Sequence, residues 1–414
     1  MDKQEDIFKA LMQDLGKHHL ESFRDEVGTL IKSLNFALKN LKQWMSAKKA
    51  KLPQIALLTS AEIVPEPLGL VLIISSWNFP IGLSLEPLIG AVAAGNTVVL
   101  KPSEISSASA CLLASTLCNY LDNKAIKVIQ GDPEVAQQLL LQRWDKIFFT
   151  GSARVARIVM SEAAKHLTPV TLELGGKSPA VVDSLSSSWD IQVAVKRIIV
   201  GKFGTCAGQA CIAIDYVLAE KEFTSTLVEL MKVWITKMFG ENPKESHTIA
   251  RIVNKHHFFR LKNLLSDPRV KQSVIYGGSM DEENLFIEPT ILMNPPVESA
   301  IMAEEIFGPL LPIITVEKIE DSIKFINSRP KPLALYVFTK NPTLERRIML
   351  ETSSGSVTFN DAILQRAVWR SWRKWVWYPP WTFKKFQELE QAYNYDILGL
   401  LLVLLGLKKS STRV

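Results

Sequence analysis

The hydrophobic residues of the first fifty positions recur every three or four places along the chain. Phe8, Leu11 and Leu15 form one such series, and Leu30, Leu34 and Leu38 form a second. This spacing places apolar side chains on one face of an α-helix. The pattern predicts charged amphipathic helices over residues 1–53, whose expected role is to pack against the domain that follows.

After Pro53 the pattern changes to short runs that are apolar throughout and alternate with helix-like stretches. Strands of this kind are buried on both faces of a parallel sheet, so the pattern predicts a βαβ series and a doubly wound α/β domain. Such a domain binds its ligand at the carboxyl ends of the strands. The runs are LGLVLIIS at 68–75, NTVVLKPS at 96–103, AIKVIQG at 125–131, KIFFTGS at 146–152 and VTLELGG at 170–176.

Polar residues and glycines follow three of these runs. A cation and a carboxylate can hold ribose hydroxyls, and the N–H groups of a helix that begins at Ala153 can bind a pyrophosphate. However, GSARVA has one glycine where the dinucleotide fingerprint has three. Two interpretations therefore stand, a nucleotide site and ordinary helix-capping turns.

Glu173 lies inside the apolar run that ends in Gly175 and Gly176. A buried carboxylate is costly, and burial raises its pKa toward neutrality, which suits a general base. The alternative is a structural ion pair between Glu173 and Lys177 across the turn.

Four cysteines in 414 residues are too few for a disulfide framework and favour a reducing, cytoplasmic compartment. The first residues mix both charges without an apolar core, unlike a secretory signal. Cys206 and Cys211 lack the four-ligand spacing of a zinc site, so no metal is expected. Cys206 is either core filler or a resolving thiol that forms a reversible disulfide.

The net charge of +6 comes from the C-terminal part of the chain. Residues 362–414 carry nine Lys and Arg against three Asp and Glu, which leaves 39 of each sign in residues 1–361. A nucleic-acid-binding domain usually has a basic face on its working surface. No nucleic-acid partner is therefore expected for the body.

Six short motifs follow one another along the chain: WNFP, KPSE, FTGS, LELGGKSP, GQAC and EEIFGP. Their order and separations resemble those of the aldehyde dehydrogenase superfamily, and especially the plant members of its class 3 branch. The resemblance runs almost continuously from about Asp6 to Gln365.

This resemblance implies catalytic roles for three residues. Cys211 matches the family nucleophile, whose thiolate attacks an aldehyde to form a thiohemiacetal and then a thioester. Asn78 matches the amide that stabilises the oxyanion together with the Cys211 backbone N–H. Glu173 matches the base that activates water to release the carboxylic acid.

The resemblance also implies a nicotinamide cofactor. An interaction of Glu104 with a ribose 2′-OH would favour NAD, with NADP tolerated. In the matched motifs, Lys101 and Glu104 hold the adenine-side ribose, and Gly151 with Ser152 forms the pyrophosphate turn. The full set of cofactor residues is Trp77, Lys101, Ser103, Glu104, Gly151, Ser152, Glu305 and Phe307.

The implied architecture is the aldehyde dehydrogenase fold, an α/β fold with a Rossmann-like cofactor domain, a second α/β catalytic domain and an oligomerisation arm. The expected divisions are N-terminal helices (1–53), the arm (54–67), the cofactor domain (68–175), the catalytic domain (176–361) and an atypical C-terminal segment (362–414).

After VTFND the chain departs from the family pattern. It lacks the glycine-rich segment and the strand that pairs across the family dimer, and five of its ten tryptophans lie between 369 and 381. The altered segment, 366–377, resembles a shifted reading frame or an alternative splice. One alternative is therefore an impaired variant with a scaffold or regulatory role. Another is an enzyme that transfers the acyl group to CoA and not to water, against which Glu173 argues.

The apolar run from Ile397 to Leu407 is followed by Lys408, Lys409 and Arg413. Eleven residues are too few for a spanning helix, which needs about 20. Two interpretations stand, a peripheral membrane contact through this tail and packing of the tail against the body.

Overall fold

The computed structural model describes residues 3–53 and 59–363. Helices and strands alternate along most of this length. The helices are α1 Gln4–Leu15, α2 His19–Ser22, α3 Gly28–Trp44, α4 Gly82–Ala93, α5 Ser107–Leu117, α6 Pro133–Leu140, α7 Ala153–Ala164, α8 Ser188–Lys202, α9 Lys221–Phe239, α10 Lys255–Leu264, α11 Pro268–Gln272, α12 Ala300–Ala303, α13 Asp321–Asn327 and α14 Pro342–Glu351. A π-helical turn, Phe23–Val27, joins α2 to α3, and short 3-10 turns span Cys206–Gly208 and Pro243–Glu245.

The strands form two large sheets and two small antiparallel pairs. They are β1 Lys48–Lys49, β2 Glu62–Ile63, β3 Leu70–Ile74, β4 Thr97–Lys101, β5 Ile126–Val128, β6 Lys146–Gly151, β7 Val170–Leu174, β8 Pro179–Val182, β9 Tyr216–Glu220, β10 Val274–Tyr276, β11 Met280–Asp281, β12 Phe286–Ile287, β13 Thr290–Met293, β14 Leu310–Val316, β15 Ala334–Phe338 and β16 Ser356–Phe359.

The five-stranded sheet has the order β5-β4-β3-β6-β7, and all of its pairs are parallel. The prediction of five apolar strands in a parallel sheet is confirmed. Strands β4 and β5 follow β3 on one side of it, and the next strand in the chain, β6, pairs with β3 on the other side. This reversal between β3 and β6 is the position at which doubly wound sheets bind their ligands.

The seven-stranded sheet has the order β10-β13-β14-β9-β8-β15-β16. Its pairs are parallel except for the antiparallel edge strand β10. Separate apolar clusters cover its two faces, one containing Ala180, Val217 and Tyr336 and the other containing Val181 and Leu218. Neighbouring residues of one strand thus enter opposite clusters, as expected for a sheet buried on both faces.

The N-terminal helices pack against the five-stranded unit. Leu11 and Leu30 are buried in one cluster with Ile81 and with Leu113 of α5. The predicted helices are present. The second apolar series is wrong beyond Leu30, because Leu34 and Leu38 are 47% and 64% exposed. Strands β1 and β2 form a small antiparallel pair on either side of residues 54–58, which lie outside the described part of the predicted arm.

Within the described residues, no helix combines the length and the apolar character that crossing a bilayer requires. The Trp-rich segment 366–377 and the apolar tail at 397–407 lie outside those residues, and so do the predictions made for them.

Candidate active site

Asn78 lies in the loop between β3 and α4, and only 2% of its surface is exposed. Its Nδ2 donates a 2.9 Å hydrogen bond to the carbonyl of Gln209. Its Oδ1 is buried without a partner among the described residues. The structure therefore joins the WNFP loop to the GQAC loop, although 131 residues separate the two bonded groups.

The GQAC loop has a tightly constrained backbone. Cys206, Ala207 and Gly208 have φ values of 48°, 49° and 78°, so three successive residues occupy the left-handed region. At Gly208 a Cβ atom would lie 2.5 Å from the carbonyl oxygen of Gly308. Glycine is required here both for the backbone conformation and for the close approach.

The side chain of Gln209 fixes the end of this turn. Its Nε2 donates to the carbonyls of Cys206 at 3.0 Å and Arg251 at 2.9 Å, and its Oε1 accepts from the Val253 N–H at 3.1 Å. Cys211 follows two residues later, half-buried against the core of the seven-stranded sheet. None of the four cysteines, all of which are described, forms a disulfide.

Glu173 lies on β7, where it is paired in register with Thr150 of β6. Burial raises the pKa of its carboxyl to about 7. The alternative pairing of Glu173 with Lys177 is wrong: the Lys177 ammonium binds the Asp215 carboxylate and donates to the carbonyls of Ile301 and Glu304, both at 2.8 Å.

The EEIFGP segment approaches the turn after β7. The Glu305 carboxylate lies against Gly175, in the space that a Cβ would need. Burial raises the pKa of Glu305 to about 8, although the N–H of Gly176 donates to the carboxylate and opposes this shift. Phe307 is held at φ 50° and makes an edge contact with Trp77, with 5.4 Å between ring centroids.

The predicted adenine-side residues lie at the end of β4. Lys101 is buried, and its ammonium contacts the Glu104 carboxylate at 2.5 Å. The Glu104 side chain is 36% exposed and is therefore accessible to a ligand. Ser103 is buried beside them, and its hydroxyl accepts a 3.3 Å hydrogen bond from the Ile105 N–H.

The predicted pyrophosphate turn lies where β6 meets α7. Ser152 is the N-cap of α7, with its hydroxyl accepting from the Val155 N–H at 3.4 Å. The neighbouring Thr150 hydroxyl is buried without a partner in the described part of the chain. An unsatisfied hydroxyl, a helix N-terminus and the strand reversal meet at this point, so these residues fit a dinucleotide.

The described residues contain no group of three or more His, Cys, Asp or Glu side chains placed to hold a metal ion.

Comparison with known proteins decides the family. The sequence model described as "Aldehyde dehydrogenase family" matches residues 1–369. The chain belongs to this family. The resemblance inferred from the six motifs is therefore confirmed, as is the predicted aldehyde dehydrogenase fold.

The similar proteins include plant members of family 3. "Aldehyde dehydrogenase family 3 member F1" of Arabidopsis thaliana is 50% identical over 442 aligned positions, covering 99% of this chain and 91% of that protein. Since this chain has 414 residues, at least 28 aligned positions of that relative have no counterpart here.

Solved structures give the same result. The "Substrate bound state" of AldH from Staphylococcus aureus is 41% identical with a TM-score of 0.85, covering 88% of this chain and 79% of that one. An NAD-dependent aldehyde dehydrogenase from Sinorhizobium meliloti is 25% identical with a TM-score of 0.78, covering 87% and 72%.

The chain is thus an oxidoreductase of the aldehyde dehydrogenase family, which oxidises aldehydes to carboxylic acids with NAD or NADP. The comparisons give no support to the alternative of an impaired scaffold or regulatory protein.

The sequence did not indicate a role for three charged residues that together contact the WNFP loop and the GQAC loop. Lys17, Glu21 and Glu26 are almost completely buried, although their segment was expected to supply only packing. Lys17 lies in the turn between α1 and α2, and Glu21 lies in α2. The periodicity of the apolar positions therefore gave no signal for their burial.

Proposed function

We propose that Cys211 is the nucleophile, that Asn78 and the Cys211 backbone N–H form the oxyanion site, and that Glu173 is the general base. The observation that supports this most directly is the hydrogen bond from Asn78 Nδ2 to the Gln209 carbonyl. It places a buried amide beside the loop that carries Cys211.

In this proposal the thiolate of Cys211 attacks the carbonyl carbon of an aldehyde. The new C–S bond moves one electron pair onto the carbonyl oxygen, which becomes an alkoxide. Asn78 Nδ2 has a second N–H besides the one given to Gln209, and this second donor is available to the oxyanion. One such donor is typically worth about 3 kcal/mol of transition-state stabilisation.

Collapse of the oxyanion to a thioester expels a hydride from the thiohemiacetal carbon, and a bound nicotinamide cofactor would supply the acceptor for that hydride. Glu305 and Phe307 would hold its nicotinamide-side ribose. Lys101, Ser103 and Glu104 would hold the adenine-side ribose. Trp77, Gly151 and Ser152 complete the proposed binding set.

Glu173 then removes a proton from water, which attacks the thioester carbon and releases the acid with the Cys211 thiolate as leaving group. A pKa of about 7 lets this carboxylate take a proton and return it within the neutral range.

The test compares two cysteines of one loop. Cys211→Ala should abolish NADH formation from a medium-chain aldehyde and NAD, whereas Cys206→Ala should retain turnover. Wild-type Cys211 should also be alkylated by iodoacetamide, as followed on its own peptide. Full turnover by Cys211→Ala would contradict the proposal, and a fold check by circular dichroism separates loss of chemistry from loss of structure.

We further propose that the chain prefers NAD, with NADP tolerated. The support is the exposed part of the Glu104 carboxylate, which can accept from a 2′-OH and would repel a 2′-phosphate. Glu104→Gln should lower the ratio of kcat/KM for NAD to that for NADP. An unchanged ratio would contradict this preference.

We propose the domain division 1–53, 54–67, 68–175, 176–361 and 362–414. The break at 175 is supported by the separation of the two large sheets between β7 and β8. The pairing of β1 with β2 supports a projecting arm around 54–67. Limited proteolysis should cut first between these units.

We also propose a cytoplasmic enzyme whose apolar tail, 397–407, makes a peripheral membrane contact. The support is the sequence alone, in which eleven apolar residues are followed by three basic ones. Sedimentation with liposomes should fall when the tail is removed. Size-exclusion chromatography would determine whether the chain forms the dimer typical of the family.

A further inference from the structure

Lys17 and Glu26 form an ion pair that is completely shielded from solvent. Their Nζ and Oε1 atoms are 2.7 Å apart, and both side chains are 0% exposed. Glu21 and Asp25, 6% and 5% exposed, lie in the same segment. Because desolvating charges is expensive, buried pairs of this kind are weak contributors to stability and call for another role.

Lys17 holds the backbone of the proposed oxyanion residue. Its ammonium donates to the Asn78 carbonyl at 2.7 Å and lies 4.1 Å from the centroid of the Phe79 ring. Its pKa is raised, because the pull of the neighbouring carboxylates outweighs the lowering effect of burial. The ammonium is therefore charged where it contacts Asn78.

Glu26 holds the other end of the same loop. Its Oε2 accepts hydrogen bonds of 2.9 Å from the N–H groups of Ile81 and Gly82, where α4 begins. The ion pair thus connects Asn78 at one end of the loop with the start of α4 at the other.

Glu21 holds the loop that leads to Cys211. Its Oε1 accepts a 2.5 Å hydrogen bond from the N–H of Cys206, the first of the three left-handed residues. Such conformations persist in non-glycine residues only when surrounding contacts hold them. The Cys206 Sγ lies 3.6 Å from the Asn78 carbonyl, the same group that Lys17 binds. One N-terminal segment therefore holds both loops.

We infer that Lys17, Glu21 and Glu26 are positioning residues for oxyanion stabilisation, because they fix the WNFP loop and the GQAC loop relative to each other. The inference rests on the roles proposed above for Asn78 and Cys211. All three are almost completely buried, so they act through the loops and not by contact with substrate. Their effect is to keep the Asn78 amide and the Cys211 N–H aimed at one point, and small displacements of such donors reduce catalysis strongly.

The test uses two reagents that consume the same thiolate by different routes. With p-nitrophenyl acetate, sulfur attacks the ester carbon, an oxyanion forms, and p-nitrophenolate departs with the C–O electron pair to leave a thioester. With iodoacetamide, sulfur displaces iodide at a saturated carbon and no oxyanion forms. Both rates are followed on the Cys211 peptide by mass spectrometry, because Cys111 and Cys118 are exposed.

Removing Lys17 alone would leave Glu26 buried and unpaired, so the variant Lys17→Met/Glu26→Gln removes both charges together. Glu21→Leu removes the acceptor of the Cys206 N–H, and Glu21→Gln keeps it. Lys17→Met/Glu26→Gln and Glu21→Leu should slow acylation by about 10- to 100-fold, as partial loss of an oxyanion donor does. Alkylation should stay within about twofold, and Glu21→Gln should restore most of the acylation rate.

Glu86→Leu is the matched control. This partly buried carboxylate of α4 accepts a 2.5 Å hydrogen bond from Ser33 of α3 and forms no described hydrogen bond with either loop. It should leave the ratio of the acylation rate to the alkylation rate unchanged, even where stability falls.

A selective loss of acylation supports the inference. The inference alone would be overturned if Cys211→Ala is inactive but the Lys17/Glu26 and Glu21 variants change the acylation and alkylation rates equally, or change neither. Undiminished turnover by Cys211→Ala would overturn the proposed function and this inference with it.

Discussion

The hydroxyl of Tyr336 donates a 2.6 Å hydrogen bond to the carbonyl of Ile212, the residue after Cys211. Tyr336 lies on β15 and is 0% exposed. A strand next to the edge of the seven-stranded sheet is thereby bonded to the backbone beside the proposed nucleophile.

Replacing Tyr336 by Phe removes this bond and leaves the Ile212 carbonyl buried. An unsatisfied buried group costs about 1 to 3 kcal/mol, so urea unfolding should show a loss of this size. Turnover should fall several-fold. Tyr276→Phe, which removes a 3.3 Å contact with Thr236, is the control and should affect turnover little. Equal turnover of the two variants would contradict a role for Tyr336 beside Cys211.

Glu173 gives a prediction for pH dependence. The deprotonated carboxylate is the base, so hydrolysis of the thioester should be fully available above the pKa of about 7 and decline as the pH falls below it. Glu173→Gln should slow steady-state turnover by about 10² to 10⁴. A stopped-flow burst of NADH of about one equivalent should remain, because attack and hydride transfer precede this step.

Stability provides the control for Glu173→Gln. The folded-state pKa lies above the ordinary value of 4.5, so folding binds protons and the wild type loses stability as the pH rises from about 4.5 to 7. The neutral glutamine avoids this loss. At pH 8, Glu173→Gln should unfold at the same urea concentration as the wild type or at a higher one. If it unfolds at a lower concentration, its slower turnover would be explained by misfolding.

Gly175→Ala tests the contact between the turn after β7 and Glu305. The added Cβ would occupy the space of the Glu305 carboxylate. Binding of NAD, measured by calorimetry, should weaken because the carboxylate must move from its proposed ribose position. The double variant Gly175→Ala/Glu305→Ala should bind NAD only slightly more weakly than Glu305→Ala alone, since the carboxylate that collides with the new Cβ is gone. Additive losses would contradict the collision.

Lys202, the last residue of α8, is 0% exposed, and its Nζ has no hydrogen-bond partner among the described residues. Burial lowers the pKa of this lysine to about 8 from the ordinary 10.5, although Asp215 opposes the shift. This lowering of the pKa corresponds to a loss of about 3 kcal/mol in the free energy of unfolding when the lysine is charged. The full cost applies below pH 8 and disappears as the pH rises to about 10.5.

Lys202→Met should therefore raise the free energy of unfolding at pH 7, by up to about 3 kcal/mol, and the gain should shrink toward pH 10. Lys39→Met, on the exposed side of α3, should change stability little at either pH. A gain that does not depend on pH would show that better packing, and not the charge, is responsible.

The sequence predicted the two types of element and most of the proposed site, because each is encoded locally. Strands β3 to β7 follow from runs such as LGLVLIIS, and Cys211 and Asn78 lie in short motifs. The ion pair between Lys17 and Glu26 could not be predicted this way, since their burial depends on packing against α4. The pairing of Lys177 with Asp215, and not with Glu173, likewise depends on where β9 begins relative to the turn after β7.

The hydrogen bond between Glu21 and the Cys206 N–H joins groups 185 positions apart. Contacts of such long range form late, because the intervening chain must first be ordered. During synthesis, Glu21 can form this bond only after Cys206, near the middle of the chain, has been made. The geometry proposed for oxyanion binding therefore cannot be completed by the N-terminal half of the cofactor-domain sequence alone.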